Sequence, residues 1–76
     1  MSKITILRKK IDKTDEKIKE LLFKRAALVK EIGEVKRGEN GKIKDQERED
    51  EIIGKMENEY EKNIFNTILK ESRKLQ

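Results

Sequence analysis

No cysteine, histidine, proline or tryptophan occurs in the 76 residues, and the aromatic side chains are Phe23, Tyr60 and Phe65 alone. Without cysteine there is neither a disulfide framework nor a thiolate metal site. Without histidine as well, zinc loses its usual ligands and the histidine-based triads lose their base, so neither a metal nor a cofactor is expected. Three rings offer little surface on which bases could stack, which argues against a single-stranded nucleic-acid binder. Long apolar runs are missing too. Nowhere do about eighteen apolar residues run together, and Met1 to Ile6 leads into charged sequence without the apolar core of a signal peptide. A soluble cytoplasmic protein with no membrane partner is expected. A hydrophobic share of 33% makes one small domain, residues 1–76, the ceiling.

What is abundant is charge, at 47% of residues. Twenty Lys and Arg against sixteen Asp and Glu leave a net +4, which favours an anionic partner without saying whether it is a small anion, a phosphate backbone or a membrane surface. High charge fits disorder as well as long helices, so periodicity has to decide. Apolar residues recur at Ile4, Leu7, Ile11, Ile18, Leu21, Leu28, Ile32 and Val35, in steps of three and four with gaps at Thr14 and Arg25. That spacing predicts a helix over residues 3–36 with Ser2 as its N-cap, ended by the Arg37-Gly38-Glu39-Asn40-Gly41 turn. Asp45, followed by Gln46-Glu47, reads as the N-cap of a second helix carrying Ile52, Ile53 and Met56. A third pattern runs through Tyr60, Ile64, Phe65, Ile68, Leu69 and Leu75, with a tight turn expected near residues 57–61.

A helix of about 34 residues is about 50 Å long, whereas a globule of this chain length has a radius of gyration of about 11 Å. Two short helices cannot cover an apolar stripe of that length. An all-α, three-helix chain in an intertwined homodimeric bundle is therefore expected.

Arg25 stands where the seam asks for an apolar side chain, so a guanidinium there needs an anion to meet it. It could pair with a seam carboxylate such as Asp15 or Glu20 of another helix, or it could bind a ligand. Lys36 lies eleven positions on, about 20° round and about 16 Å along the helix, so the two long side chains can converge on one small molecule. Equally, Lys36 could simply complement a helix C-terminus. Arg8 is about 25 Å from Arg25 and about 100° round; if it serves such a site, it serves the partner's. In the second helix Asp45, Arg48 and Glu49 gather an acid, a base and an acid within one turn, while Ser72 and Gln76 share a helical face. Gly33 and Gly54 each cost a helix about 1 kcal/mol relative to Ala, so each is either a close packing point or a tolerated neutral position.

Leu7-Arg8-Lys9-Lys10-Ile11-Asp12, Asp15, Leu21 to Arg25, Val29 to Lys36, Asp45 through Arg48-Glu49, and Ile68 to Gln76, in that order and spacing, resemble the all-helical class of chorismate mutases. The resemblance implies an intertwined three-helix dimer with two identical sites, each completed by an arginine from the other subunit's long helix. It implies the conversion of chorismate to prephenate in the phenylalanine/tyrosine branch of aromatic amino acid biosynthesis. By the same resemblance, Arg8 from the partner and Arg25 clamp the two substrate carboxylates. Lys36 contacts the ether oxygen and a carboxylate, and Arg48 is its neighbour in the cationic pocket. Glu49, with the backbone around Asp45, holds the ring hydroxyl; Ser72 contacts the ring carboxylate, and Gln76 is the second donor to the ether oxygen. Gln76 is the last residue of the sequence, and its turn is expected to fray. The competing reading is a non-catalytic basic helical dimer that binds other proteins or nucleic acid. Interspersed acids and the lack of a dense basic face argue against the nucleic-acid form.

Overall fold

The computed structural model describes residues 2–38 and 45–76. The predicted Glu39-Asn40-Gly41 part of the first turn lies outside them. Three α-helices follow one another: α1 (Lys3–Gly38), α2 (Gln46–Gly54) and α3 (Glu59–Leu75); no strand occurs among the described residues. Each start is capped by the side chain its sequence provides. Ser2 Oγ accepts from Thr5 N at 3.2 Å, Asp45 Oδ1 from Arg48 N at 3.0 Å and Asn58 Oδ1 from Glu61 N at 2.8 Å. These bonds satisfy backbone donors that a helix start leaves without partners.

α1 runs two residues past the expected end, to Gly38, with Lys36 and Arg37 in its last turn where cations complement the dipole. The polar gap at Thr14 is accommodated within the helix, since Thr14 Oγ1 donates to Lys10 O at 3.1 Å. The second and third helices are separate, as the expected turn requires, but the break falls at residues 55–58. Lys55 N donates to Ile52 O at 3.1 Å and Met56 N to Ile53 O at 3.0 Å, tightening the end of α2. Glu61 then accepts from Glu57 N at 3.0 Å, which together with the Asn58 cap starts α3 at Glu59.

α3 packs on α1, and α2 packs on α3 rather than on α1. The result is a rod of 56 × 24 × 15 Å with a radius of gyration of 16.1 Å, well above the about 11 Å of a globule this size. Val29 on α1 and Leu69 on α3 are the buried apolar side chains, at 7% and 6% exposure. Around them the seam of α1 lies open: Leu7, Ile11, Ile18, Leu21, Leu28, Ile32 and Val35 are all exposed. Among the described residues no helix is long and apolar enough to cross a membrane.

Candidate active site

Where the second half of α1, the start of α2 and the end of α3 converge, they enclose a cavity of about 400 Å³. That is the size of a small-molecule pocket. α1 contributes Arg25 and Lys36 to its wall, α2 with its cap contributes Asp45, Arg48 and Glu49, and α3 contributes Ser72 and Gln76. The eleven-residue spacing of Arg25 and Lys36 thus brings both to one cavity. Seven of the eight sequence-predicted site residues meet there. The eighth, Arg8, is exposed near the start of α1 and is not part of this wall. Leu28, Ile32 and Ile52 supply an apolar lining between the charges.

Arg25 is half-buried, and Nη1 donates to Ser72 Oγ at 2.5 Å. Ser72 Oγ in turn donates to Ile68 O, one turn back along α3, at 2.6 Å. The serine's single proton is therefore held by its own helix, and its oxygen faces the guanidinium as an acceptor. This neutral contact leaves the charge of Arg25 uncompensated by any carboxylate among the described residues. Neither Asp15 nor Glu20 of the same chain reaches it.

Gln76 is seated by its backbone. An added Cβ at Gly33 would lie 2.9 Å from Gln76 Cα and 3.0 Å from Gln76 O, so only glycine lets α1 and the end of α3 come this close. Arg37 Nη1 donates to Gln76 O at 2.5 Å, and Gln76 N donates to Arg73 O at 3.3 Å. The last turn, which is expected to fray, lies against α1 in this arrangement. Gly54 differs: an added Cβ would meet nothing within 4 Å, so it is the tolerated kind of helical glycine. The Gln76 side chain lines the cavity, and its Oε1 is buried without a hydrogen-bond partner among the described residues. An amide oxygen only accepts, so what is left unused at this atom is accepting capacity.

On α2, Arg48 Nη1 reaches Glu51 Oε1 at 3.3 Å in an exposed pair within the helix. Glu49 points the other way. Both its oxygens accept from Arg73 Nη1 of α3, at 2.6 and 2.7 Å, and the glutamate side chain keeps only 16% exposure. Arg73, which the sequence reading did not single out, lines the same cavity. Its one sequence signal is a three-residue spacing from Gln76; the partner itself lies 24 positions away on another helix. With Arg73 included, the wall carries Arg25, Lys36, Arg48 and Arg73 against Asp45 and Glu49, an excess of two positive charges. On the far side of α3, Lys74 donates to Glu71 at 2.8 Å, and that bond and charge hold the Glu71 carboxyl below the usual carboxylate range.

A pocket that is apolar in its lining, closed on three sides by helices and cationic by two charges suits a small dianion better than any extended polymer. Residues 7–76 match the family described as chorismate mutase type II. The bifunctional chorismate mutase/prephenate dehydratase of Aquifex aeolicus (strain VF5) is 48% identical over 56 residues, which are 74% of this chain and 16% of that relative. The chain therefore spans well under a fifth of the length of the curated relative it matches. No solved structure matches it. From the family match over all but the first six residues, the chain belongs to the type II chorismate mutases.

Proposed function

We propose that the chain is a chorismate mutase unit that rearranges chorismate to prephenate, the step that commits material to phenylalanine and tyrosine. The observation that carries this reading is the convergence of Arg25, Lys36, Arg48, Ser72 and Gln76 on one cavity with a surplus of two positive charges, in a chain of this family. The reaction is a unimolecular pericyclic shift in which one carbon–oxygen bond breaks as a carbon–carbon bond forms. It needs no nucleophile and no general base, which agrees with a chain lacking cysteine and histidine.

Catalysis then consists of two physical effects. Cations on two sides hold the substrate's carboxylates so that its enolpyruvyl arm lies over the ring, converting a rare conformer into the bound one. Donors aimed at the ether oxygen meet the negative charge that grows there as the bond breaks. Lys36 and, through its amide Nε2, Gln76 are those donors; that both side chains line the one cavity supports the pairing. Arg25, steadied by Ser72, takes a carboxylate, and Arg48 adds to the same field. Glu49, with the backbone around Asp45, accepts from the ring hydroxyl. The second carboxylate clamp is Arg8 of a second copy in a homodimer. The open seam of α1, with two apolar side chains buried among the described residues, supports that assembly.

The test is the decay of chorismate's ultraviolet absorbance with purified protein beside a Lys36→Ala variant. Saturable decay that the variant loses by at least about a hundredfold is expected, the scale of losing a charged donor to a developing oxyanion. Chorismate that survives high concentrations of a folded protein would move the non-catalytic dimer ahead.

A further inference from the structure

Arg73 is not among the residues assigned a substrate contact, yet it makes the most closely held polar contact between α2 and α3. The pairs Arg48–Glu51, Lys62–Glu59 and Lys74–Glu71 each stay within one helix, whereas Arg73–Glu49 joins two. Both of its partners are more enclosed than those of the other pairs: 30% and 16% exposed for Arg73 and Glu49, against 41% or more for every side chain in the rest. Both also line the cavity.

From this geometry we propose that Arg73 is a positioning and specificity-determining residue: it holds the Glu49 carboxylate as a fixed, acceptor-only group in the cavity wall, so that the site selects a substrate presenting a hydroxyl there. The inference rests on the mutase reading and names the part of the substrate it concerns. A carboxylate offers about four lone-pair directions. One nitrogen of Arg73 takes one direction on each oxygen, at 2.6 and 2.7 Å, leaving each oxygen able to accept one more hydrogen bond. A hydroxyl can supply that bond; a ring position carrying only hydrogen leaves a desolvated carboxylate partly unsatisfied. A second carboxylate at the same place would meet like charge. Discrimination by an enclosed polar group is strong because the wrong ligand strands it. The placement matters all the more because α2 rests on α3 and not on α1, so Glu49 is registered against the α1 cations through α3.

The experiment compares chorismate with an analogue lacking the ring hydroxyl, using the unaltered chain, Arg73→Leu and Arg73→Lys. For chorismate, Arg73→Leu is expected to lower kcat/KM by about tenfold, mainly through KM, the scale of a hydrogen bond to a charged group. For the analogue the same variant is expected to change kcat/KM by less than about threefold, because no hydroxyl is there to be lost. Arg73→Lys, which keeps a cation but loses the planar fork, should fall between and keep the same dependence on the hydroxyl. Should Arg73→Leu fail to fold by circular dichroism, the lysine variant carries the comparison. Equal losses on both substrates would overturn the proposal in favour of a plain α2–α3 brace, and no loss on either would overturn it outright. Absence of chorismate turnover by the unaltered chain would instead remove the mutase reading on which the proposal stands.

Discussion

At the scale of single residues, Gln76 has the least tolerance for chemical change. Its backbone is pinned by Arg37 while its side-chain oxygen is buried without a partner. In the proposed mechanism its part is played by the amide Nε2, because an ether oxygen can only accept. Gln76→Glu is nearly isosteric but donates only when protonated. Activity of that variant is therefore expected at low pH and should vanish as the carboxyl ionises, whereas the unaltered chain keeps its activity; pH–rate profiles of the two check this. A variant with no pH dependence of its own would remove Gln76 as donor. Arg25 was legible in the sequence because a cation interrupts a periodic seam, and a break in a pattern needs no knowledge of the partner. Arg73 was not legible. It sits among Lys70, Glu71 and Lys74 in a helix rich in charge, and only folding shows which of those side chains faces Glu49.

At the scale of elements, the contact of α1 with α3 turns on one missing side chain. Gly33→Ala raises the helix propensity of α1 by about 1 kcal/mol, but its methyl would press on Gln76 backbone atoms at 2.9 and 3.0 Å. Backbone cannot yield as a flexible side chain does, so the end of α3 must shift. We expect kcat to fall by at least about tenfold, since a displacement near 1 Å at a catalytic group costs up to a hundredfold. Thermal stability should change by no more than about 1 kcal/mol in either direction. Steady-state kinetics beside a thermal melt measures both, and an unchanged kcat would mean that Gln76 does not depend on this close approach. The starts of α1 and α2 were legible, because Ser2 and Asp45 advertise themselves as caps. The boundary between α2 and α3 was less so. The apolar pattern gives no phase break there, and the stop is set by Asn58 and Glu61 acting together across four residues.

At the scale of the whole molecule, the rod itself was legible, since a helical periodicity that resumes after both its gaps, with no proline, admits little else. That two short helices leave most of the seam uncovered was also legible; which stretch they do cover, around Val29, was not. If a second copy covers the rest of the seam and lends Arg8, sites are shared between chains. Mixing Arg8→Ala chains with Arg25→Ala chains should then restore activity through heterodimers that carry one intact site, up to about a quarter of the unaltered level for random exchange with two sites per dimer. Either variant alone should be inactive. Absence of recovery after subunit exchange, verified by mass, would assign both residues to one chain's site or to none.

Residues 2–24, well over half of α1, are exposed along their whole length. An isolated helix of that kind is marginal in water, because its own hydrogen bonds barely offset the ordering of the backbone. If a second copy covers this segment, its order depends on encounter, and encounter depends on how many molecules share the solution. Folding and association would then merge into one event. Dilution then acts as a denaturant, so a sample at nanomolar strength and one at micromolar strength need not contain the same folded species.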